Sequence, residues 1–182
     1  MGGAGRWRGG TGLGMAYMPH DAPVPITTQT LAHGVAFPNN LGLSGGYPGG
    51  TIRYRMQRGS KAAEVFAGGK IPTSPEEVGG TEDVLDFKGL SDQGPDDVLF
   101  VRTSSSGGYG DPLERDPASV LADVLHGRVS RETAVEVYGV VFADGPEVDA
   151  AATEESRKEA RRGRLERART WAEMGRGDDA GE

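Results

Sequence analysis

The chain contains no cysteine, which excludes disulfide stapling and any thiolate metal site. Aromatic residues are scarce, at 7%, and hydrophobic residues make up only 36% of the 182 positions. No apolar run approaches the roughly 18 residues that a membrane-spanning helix requires. The opening stretch MGGAGRWRGGTGLG has none of the apolar core of a secretory signal. A cationic surplus is also missing. The formal net charge is −7, which favours solubility and argues against nucleic acid as a general partner. A soluble cytoplasmic protein is the expectation.

What the chain has in quantity is backbone without side chain: 30 glycines and 11 prolines. Their combined share lies just below the ~25–30% at which low-complexity behaviour takes over. The length suffices for one domain, which would bury roughly 70% of its unfolded surface. The composition instead predicts a loop-rich fold with a thin core. Glycine stands at positions 2, 3, 5, 9, 10, 12 and 14. Glycines cost backbone entropy and contribute no packing, so this run reads as a loop from the interior of a larger protein.

Short strands are expected at GMAYM and PITTQTL, the latter rich in β-branched residues. FPNNLGLSGGYPGG is a succession of turn signals. In TIRYRMQR, Ile52, Tyr54 and Met56 alternate with Arg53, Arg55 and Gln57. That period of two predicts a half-buried strand with a basic solvent face. AAEVFAGG, TEDVLDFKG and DDVLFVRTS follow as further strand candidates, suggesting a small antiparallel sheet, sandwiched or curled.

From Asp116 the pattern turns helical. Asp116 suits an N-cap and Pro117 the first helical position. Val120, Leu121, Val124 and Leu125 form one apolar face, and Gly127 can close the helix. Ser130 caps a second helix, with Glu132 in its first turn and Ala134, Val135, Val137 and Tyr138 as apolar surface before Gly139. VVF returns as a short strand. Thr153 to Gly175 predicts a third, polar helix with a Glu154–Lys158 pair. Its narrow stripe of Leu165, Ala168, Trp171 and Ala172 suits docking on a partner. The expected fold is α+β, a loop-rich antiparallel sheet followed by a helical hairpin and a polar C-terminal helix. Its regions are a glycine-rich β region at 1–115, the hairpin and short strand at 116–142, and a charged helix and tail at 143–182.

No self-contained catalytic constellation is present, so no catalytic residue is assigned. The small-residue stretch SSSGGYGDP, beginning at Ser104, invites a phosphate-cradle reading, because converging backbone N–H groups bind anions. The nucleotide-binding pattern, however, ends in Gly-Lys-Ser/Thr, whereas Gly110 precedes Asp111 and Pro112, a negative charge and a missing donor. GGTGLG has glycines at 10, 12 and 14, equally spaced, without the dinucleotide spacing. His20, His33 and His126 lie far apart. His20 with Asp21 reads as a solvated turn, and His126 at a helix C-terminus favours the helix dipole. No metal site is expected. The helix pair 117–138 is not a DNA reader, since its second helix offers only Arg131 against Glu132 and Glu136.

Three segments together resemble the hydantoinase B/oxoprolinase family: GGAGRWRGGTGLG at the start, FPNNLGLSGGYPGG, and the long GGYGDPLERDPASVLADVLHGRVSRETAVEVYGVVF from Gly107 to Phe142. They follow the family's order and extend the resemblance over residues 2 to about 160. The third segment is the specific one.

The resemblance implies a part of ATP-dependent enzymes that open cyclic amides such as hydantoins and 5-oxoproline, on a scaffold shared with ketone carboxylases. It implies three partners: a hydantoinase A-like ATP-binding subunit, an N-terminal hydantoinase B portion and a small-molecule substrate. ATP and Mg2+ or Mn2+ would serve the whole complex, with none held by this chain alone. Family members are about three times longer, and their Asn-Asp-Pro-Tyr segment and clustered His and Asp residues have no counterpart here. A family Thr-Pro-Gly-Gly-Gly-Gly run is TSSSGGYG in this chain. The resemblance places Gly107, Gly108, Tyr109, Gly110 and Asp111 at a substrate cleft, with Asp111 orienting the turn. A solvated face is preferred over substrate contact for Arg53 and Arg55. Leu165 and Trp171 are the candidate partner-docking residues. The alternatives are a non-catalytic accessory subunit or a part of a ketone carboxylase.

Overall fold

A computed structural model describes residues 2–170 and Glu173. The chain divides into two compact units, residues 1–112 and 113–182. The fold is α+β.

The first unit carries two antiparallel sheets. One has four strands in the order β1-β6-β3-β4: β1 (Gly14–Tyr17), β6 (Val98–Arg102), β3 (Arg53–Arg58) and β4 (Thr81–Val84). The other pairs β2 (Ile26–Leu31) with β5 (Lys88–Gln93). The strands expected around positions 14, 26, 53, 81 and 98 are therefore present, but TEDVLDFKG holds the whole of β4 and only the start of β5. AAEVFAGG is a correction. It forms a helix, α1 (Ala62–Ala67), because alanine and glutamate favour helix over strand and Gly68-Gly69 terminates it.

The core is thin. Ala62 of α1 packs with Val78 and Val98, and Met18 and Phe100 lean against them. The β3 alternation holds at Met56, which is fully buried, but fails at Gln57, which is buried as well. Gln57 stands opposite Val98 in the strand register, and Val98 packs with Ala62 of α1 and Val78.

Polar groups tie the two sheets together where apolar packing is short. Arg58 of β3 reaches Ser91 Oγ of β5 at 2.6 Å, the Asp92 carbonyl, Asp83 Oδ2 at 3.1 Å and Asp97 Oδ2 at 3.0 Å. Gln93 Nε2 donates to the carbonyls of Tyr17 and Asp97. Asp97 accepts from the N–H groups of Gly94 and Gly59, both at 2.9 Å. Burial pushes the Asp97 carboxyl up, but the N–H groups of Gly94 and Gly59 and the Arg58 guanidinium outweigh it and hold it below its ordinary value.

The second unit contains α2 (Pro117–Leu125), α3 (Arg131–Glu136) and α4 (Ala150–Arg167). Asp116 and Ser130 cap the first two as their sequence dictates, accepting from Ala118 N at 3.1 Å and Thr133 N at 3.1 Å. Gly127 and Gly139 follow in the left-handed conformation, at φ 66° and 63°. On α2, Val120 is buried, yet Leu125 is exposed and Asp123 is buried in its place, paired with Arg115 at 2.8 Å. VVF does not form a strand. A single bridge joins Phe142 to Val148 across a tight turn.

The polar α4 begins earlier than expected, capped by Asp149 through Ala152 N at 2.9 Å, and ends at Arg167. It docks through polar groups. Thr153 Oγ1 accepts from Val141 N at 3.0 Å, Arg157 donates to the carbonyls of Tyr138 and Arg115, and Arg161 donates to that of Leu113. Arg157 and Thr153 are buried, whereas Leu165 is 77% exposed. Lys158 lies 3.9 Å from Glu155, its partner in place of the expected Glu154.

Asp97 gives a pH test. A carboxyl depressed in the folded state stabilises fully above the unfolded aspartate value of ~3.9, and loses that contribution as pH falls through the folded value. Asp97→Asn should lower stability at pH 7 by about 1–3 kcal/mol and shrink the loss on acidification. Urea unfolding at neutral and acidic pH measures both, and an unchanged acid loss would remove Asp97 from this role.

Candidate functional site

The glycine-rich segments that read as loops converge in the first unit into a knot of main chain. Residues 2–12, 40–50 and 103–111 pair through backbone groups. Trp7 and Tyr109 exchange two N–H···O bonds of 2.9 Å. Leu43 N donates to Gly108 O and Gly110 N returns to Leu43 O, both at 3.0 Å. Tyr47 N reaches Ala4 O at 2.7 Å, and Gly3 N reaches Ser106 O at 2.9 Å.

These backbones lie too close for side chains. A Cβ on Gly49 would stand 1.9 Å from the Ser105 carbonyl oxygen, and one on Gly107 2.0 Å from that of Leu41. On Gly108 it would meet the Ala4 oxygen at 2.1 Å. No side chain fits such gaps. Two serine hydroxyls cross-link the knot. Ser105 is buried and its Oγ accepts from Gly50 N at 2.6 Å. Asn40 Nδ2 donates to Ser105 O at 2.9 Å and Ser104 Oγ at 3.3 Å. Sequence reasoning missed Asn40 and Ser105; the Asn-Asn pair before the glycines was read only as a turn signal.

The knot spends its donors on itself. The N–H groups of Ser105, Ser106, Gly108, Tyr109 and Gly110 all go to main-chain carbonyls. This stretch is therefore built as a structural junction, and its donors are not arranged for phosphate. Within the segment placed at a substrate cleft, Gly108 and Gly110 are buried, Gly107 and Asp111 are half-buried, and Tyr109 is exposed. Because the inside of the knot is backbone, its larger side chains face outward: Trp7 is 64% exposed, Leu41 72% and Leu43 65%.

A second feature lies on the four-stranded sheet. A groove of about 590 Å³ runs between the sheet face and the segment after α1, walled by Phe66, Ile71 and Pro75. Arg53, Arg55, Arg102 and Glu76 also line it. Arg55 is held by Glu82 and by Glu76 at 3.4 Å. Its pKa is raised chiefly by the Glu82 hydrogen bond, partly opposed by burial.

The remaining candidates stay apart. His20 and Asp21 lie 3.4 Å from each other on the surface, both almost fully exposed. His126 Nδ1 is 2.7 Å from the Ala122 carbonyl oxygen at the end of α2. Among the described residues, no three His, Cys, Asp or Glu side chains converge as metal ligands. No helix among them is long and apolar enough to cross a membrane. Trp171 lies outside the described residues.

These features belong to a known class. The hydantoinase B/oxoprolinase family model matches residues 1–112, and the chain is a member of that family. The match covers the unit that holds the knot and the groove, whereas most of the 107–142 segment lies beyond it. The acetone carboxylase alpha subunit of Xanthobacter autotrophicus is 30% identical over 195 residues, covering 97% of this chain and 25% of that relative. The nucleotide-free structure of acetone carboxylase is similar with a TM-score of 0.77 at 28% identity, over 97% of this chain and 25% of the other. The ATP-dependent caprolactamase of Pseudomonas jessenii is similar with a TM-score of 0.59 at 27% identity, over 86% of this chain and 24% of the other. The chain thus spans about a quarter of the length of these relatives.

Alanine substitutions test the knot. Gly49→Ala and Gly107→Ala should each cost about 3 kcal/mol or more, because backbone must move to admit the methyl group. Gly14→Ala, with open space around it, should change stability by less than about 1 kcal/mol. Thermal unfolding of the three variants gives the ranking; equal tolerance at all three positions would contradict the close approach.

Proposed function

We propose that the chain is the carboxy-terminal portion of a hydantoinase B/oxoprolinase-type subunit, acting in the ATP-dependent hydrolysis of a cyclic amide of hydantoin or 5-oxoproline type. In this proposal it is inactive alone. ATP sits on a hydantoinase A-like partner, and Mg2+ or Mn2+ serves the complex through residues this chain does not supply. ATP provides the chemical activation that an unreactive amide carbonyl requires.

The observation that carries this reading is the outward-facing apolar surface of the first unit. Among its described large apolar side chains only Met56, Val78, Val98 and Leu99 are buried, whereas Trp7, Leu41 and Leu43 of the knot are exposed, as is Phe37. A family member that spans a quarter of its relatives leaves such surface for the N-terminal hydantoinase B portion to cover. The rigid knot would hold Tyr109 and Asp111 at the edge of a cleft completed by that portion. Leu165 remains a candidate contact for the ATP-binding partner, together with Trp171.

A second reading has its own support. The higher TM-score and fuller coverage belong to acetone carboxylase, which favours a ketone carboxylase whose ATP-activated substrate takes up a carboxyl group. A non-catalytic accessory subunit is the remaining alternative.

Reconstitution tests the proposal. The chain alone should show no ATP-dependent opening of hydantoin or 5-oxoproline. Adding the N-terminal portion and the ATP-binding subunit should bring turnover, which stops when this chain is withheld. Turnover only with acetone and bicarbonate would favour the carboxylase. Turnover by the isolated chain, or a complex equally active without it, would defeat the assignment.

A further inference from the structure

The groove on the four-stranded sheet contains an arrangement that the fold alone does not explain. Arg53 of β3 and Arg102 of β6 are register partners, directly opposite one another on one face. Like charges in that position repel. The other arginines of β3 are neutralised: Arg55 by Glu82 and Glu76, Arg58 by Asp83 and Asp97. Among the described residues, Arg53 and Arg102 have no side-chain hydrogen bond or ion pair. In a chain of net charge −7, two adjacent cations left without a carboxylate are conspicuous.

Their surroundings define what could neutralise them. Both line the groove of about 590 Å³, where Phe66, Ile71, Pro72 and Phe100 supply apolar surface and the paired Arg55 and Glu76 stand beside them. That volume suits a small molecule. Guanidinium forks match the planar geometry of a carboxylate, and the apolar lining suits a hydrocarbon body attached to it. A polyphosphate is disfavoured, because Glu76 also lines the groove and its carboxylate repels a multiply charged anion.

We propose that Arg53 and Arg102 form a carboxylate-binding site at the end of this groove, for a small organic acid with an apolar body. The bound anion replaces cross-strand repulsion with two charge-assisted contacts. The site is independent of the proposed activity, since an inactive accessory chain would carry it equally.

The test is a titration of the 15N-labelled full chain with sodium hexanoate, using hexan-1-ol and inorganic phosphate as controls. Hexanoate should give saturable amide shifts at Ala16, Phe66 and Arg102. Both controls should bind about tenfold or more weakly, as the loss of a charge-assisted contact or of apolar burial requires. The double variant Arg53→Gln/Arg102→Gln should keep the rest of the spectrum and lose the response. Without ligand, Arg102→Gln alone should raise the Tm, because the repulsion is relieved. Absence of saturation, equal binding of either control, or an unchanged response in the double variant would overturn the site.

Discussion

The first unit depends on contact between backbones that have nothing between them. Residues 2–12, 40–50 and 103–111 approach so closely that a methyl group would collide with a carbonyl oxygen at Gly49, Gly107 or Gly108. The hydrogen bonds across these contacts satisfy main-chain donors that would otherwise be left without partners. Glycine's entropic cost on ordering is high, and here the bonds and close packing offset it. At Gly49, Gly107 and Gly108 glycine is thus a requirement of the interior.

The same constraint shapes the surface. An interior of backbone leaves no place for large side chains, so Trp7, Leu41, Leu43 and Tyr109 face outward. The small apolar core of Ala62, Val78 and Val98 cannot compensate, and polar groups take over some of the joining. Arg58 and Asp97 tie one sheet to the other, while in the second unit Arg157 and Thr153 anchor α4 by capping carbonyl and amide groups. A chain built this way is rich in specific polar contacts and poor in sealed apolar volume.

The sequence made some of this legible. Caps were readable because Asp116-Pro117 and Ser130 act locally, through their own side chains and the next turn. Strands β3 and β6 were readable from alternation and β-branched content. Other features depend on partners distant in sequence. The knot joins segments about a hundred residues apart, and glycine carries no periodicity that announces a partner. Gln57 and Asp123 are buried through tertiary neighbours that no local pattern encodes. AAEVFAGG misled because a short apolar run bounded by glycine suits a strand as well as a helix. The opposition of Arg53 and Arg102 required the register of β3 on β6.

The most direct test of the backbone knot is amide hydrogen exchange on the intact chain. The account predicts that the N–H groups of Gly3, Trp7, Leu43, Gly108, Tyr109 and Gly110 exchange slowly, by factors on the order of 10³ or more relative to unstructured peptide, although none lies in a regular strand. The exposed turn at Gly68 and Gly69 should exchange much faster. Rapid exchange throughout residues 2–12 and 103–111 would contradict the account.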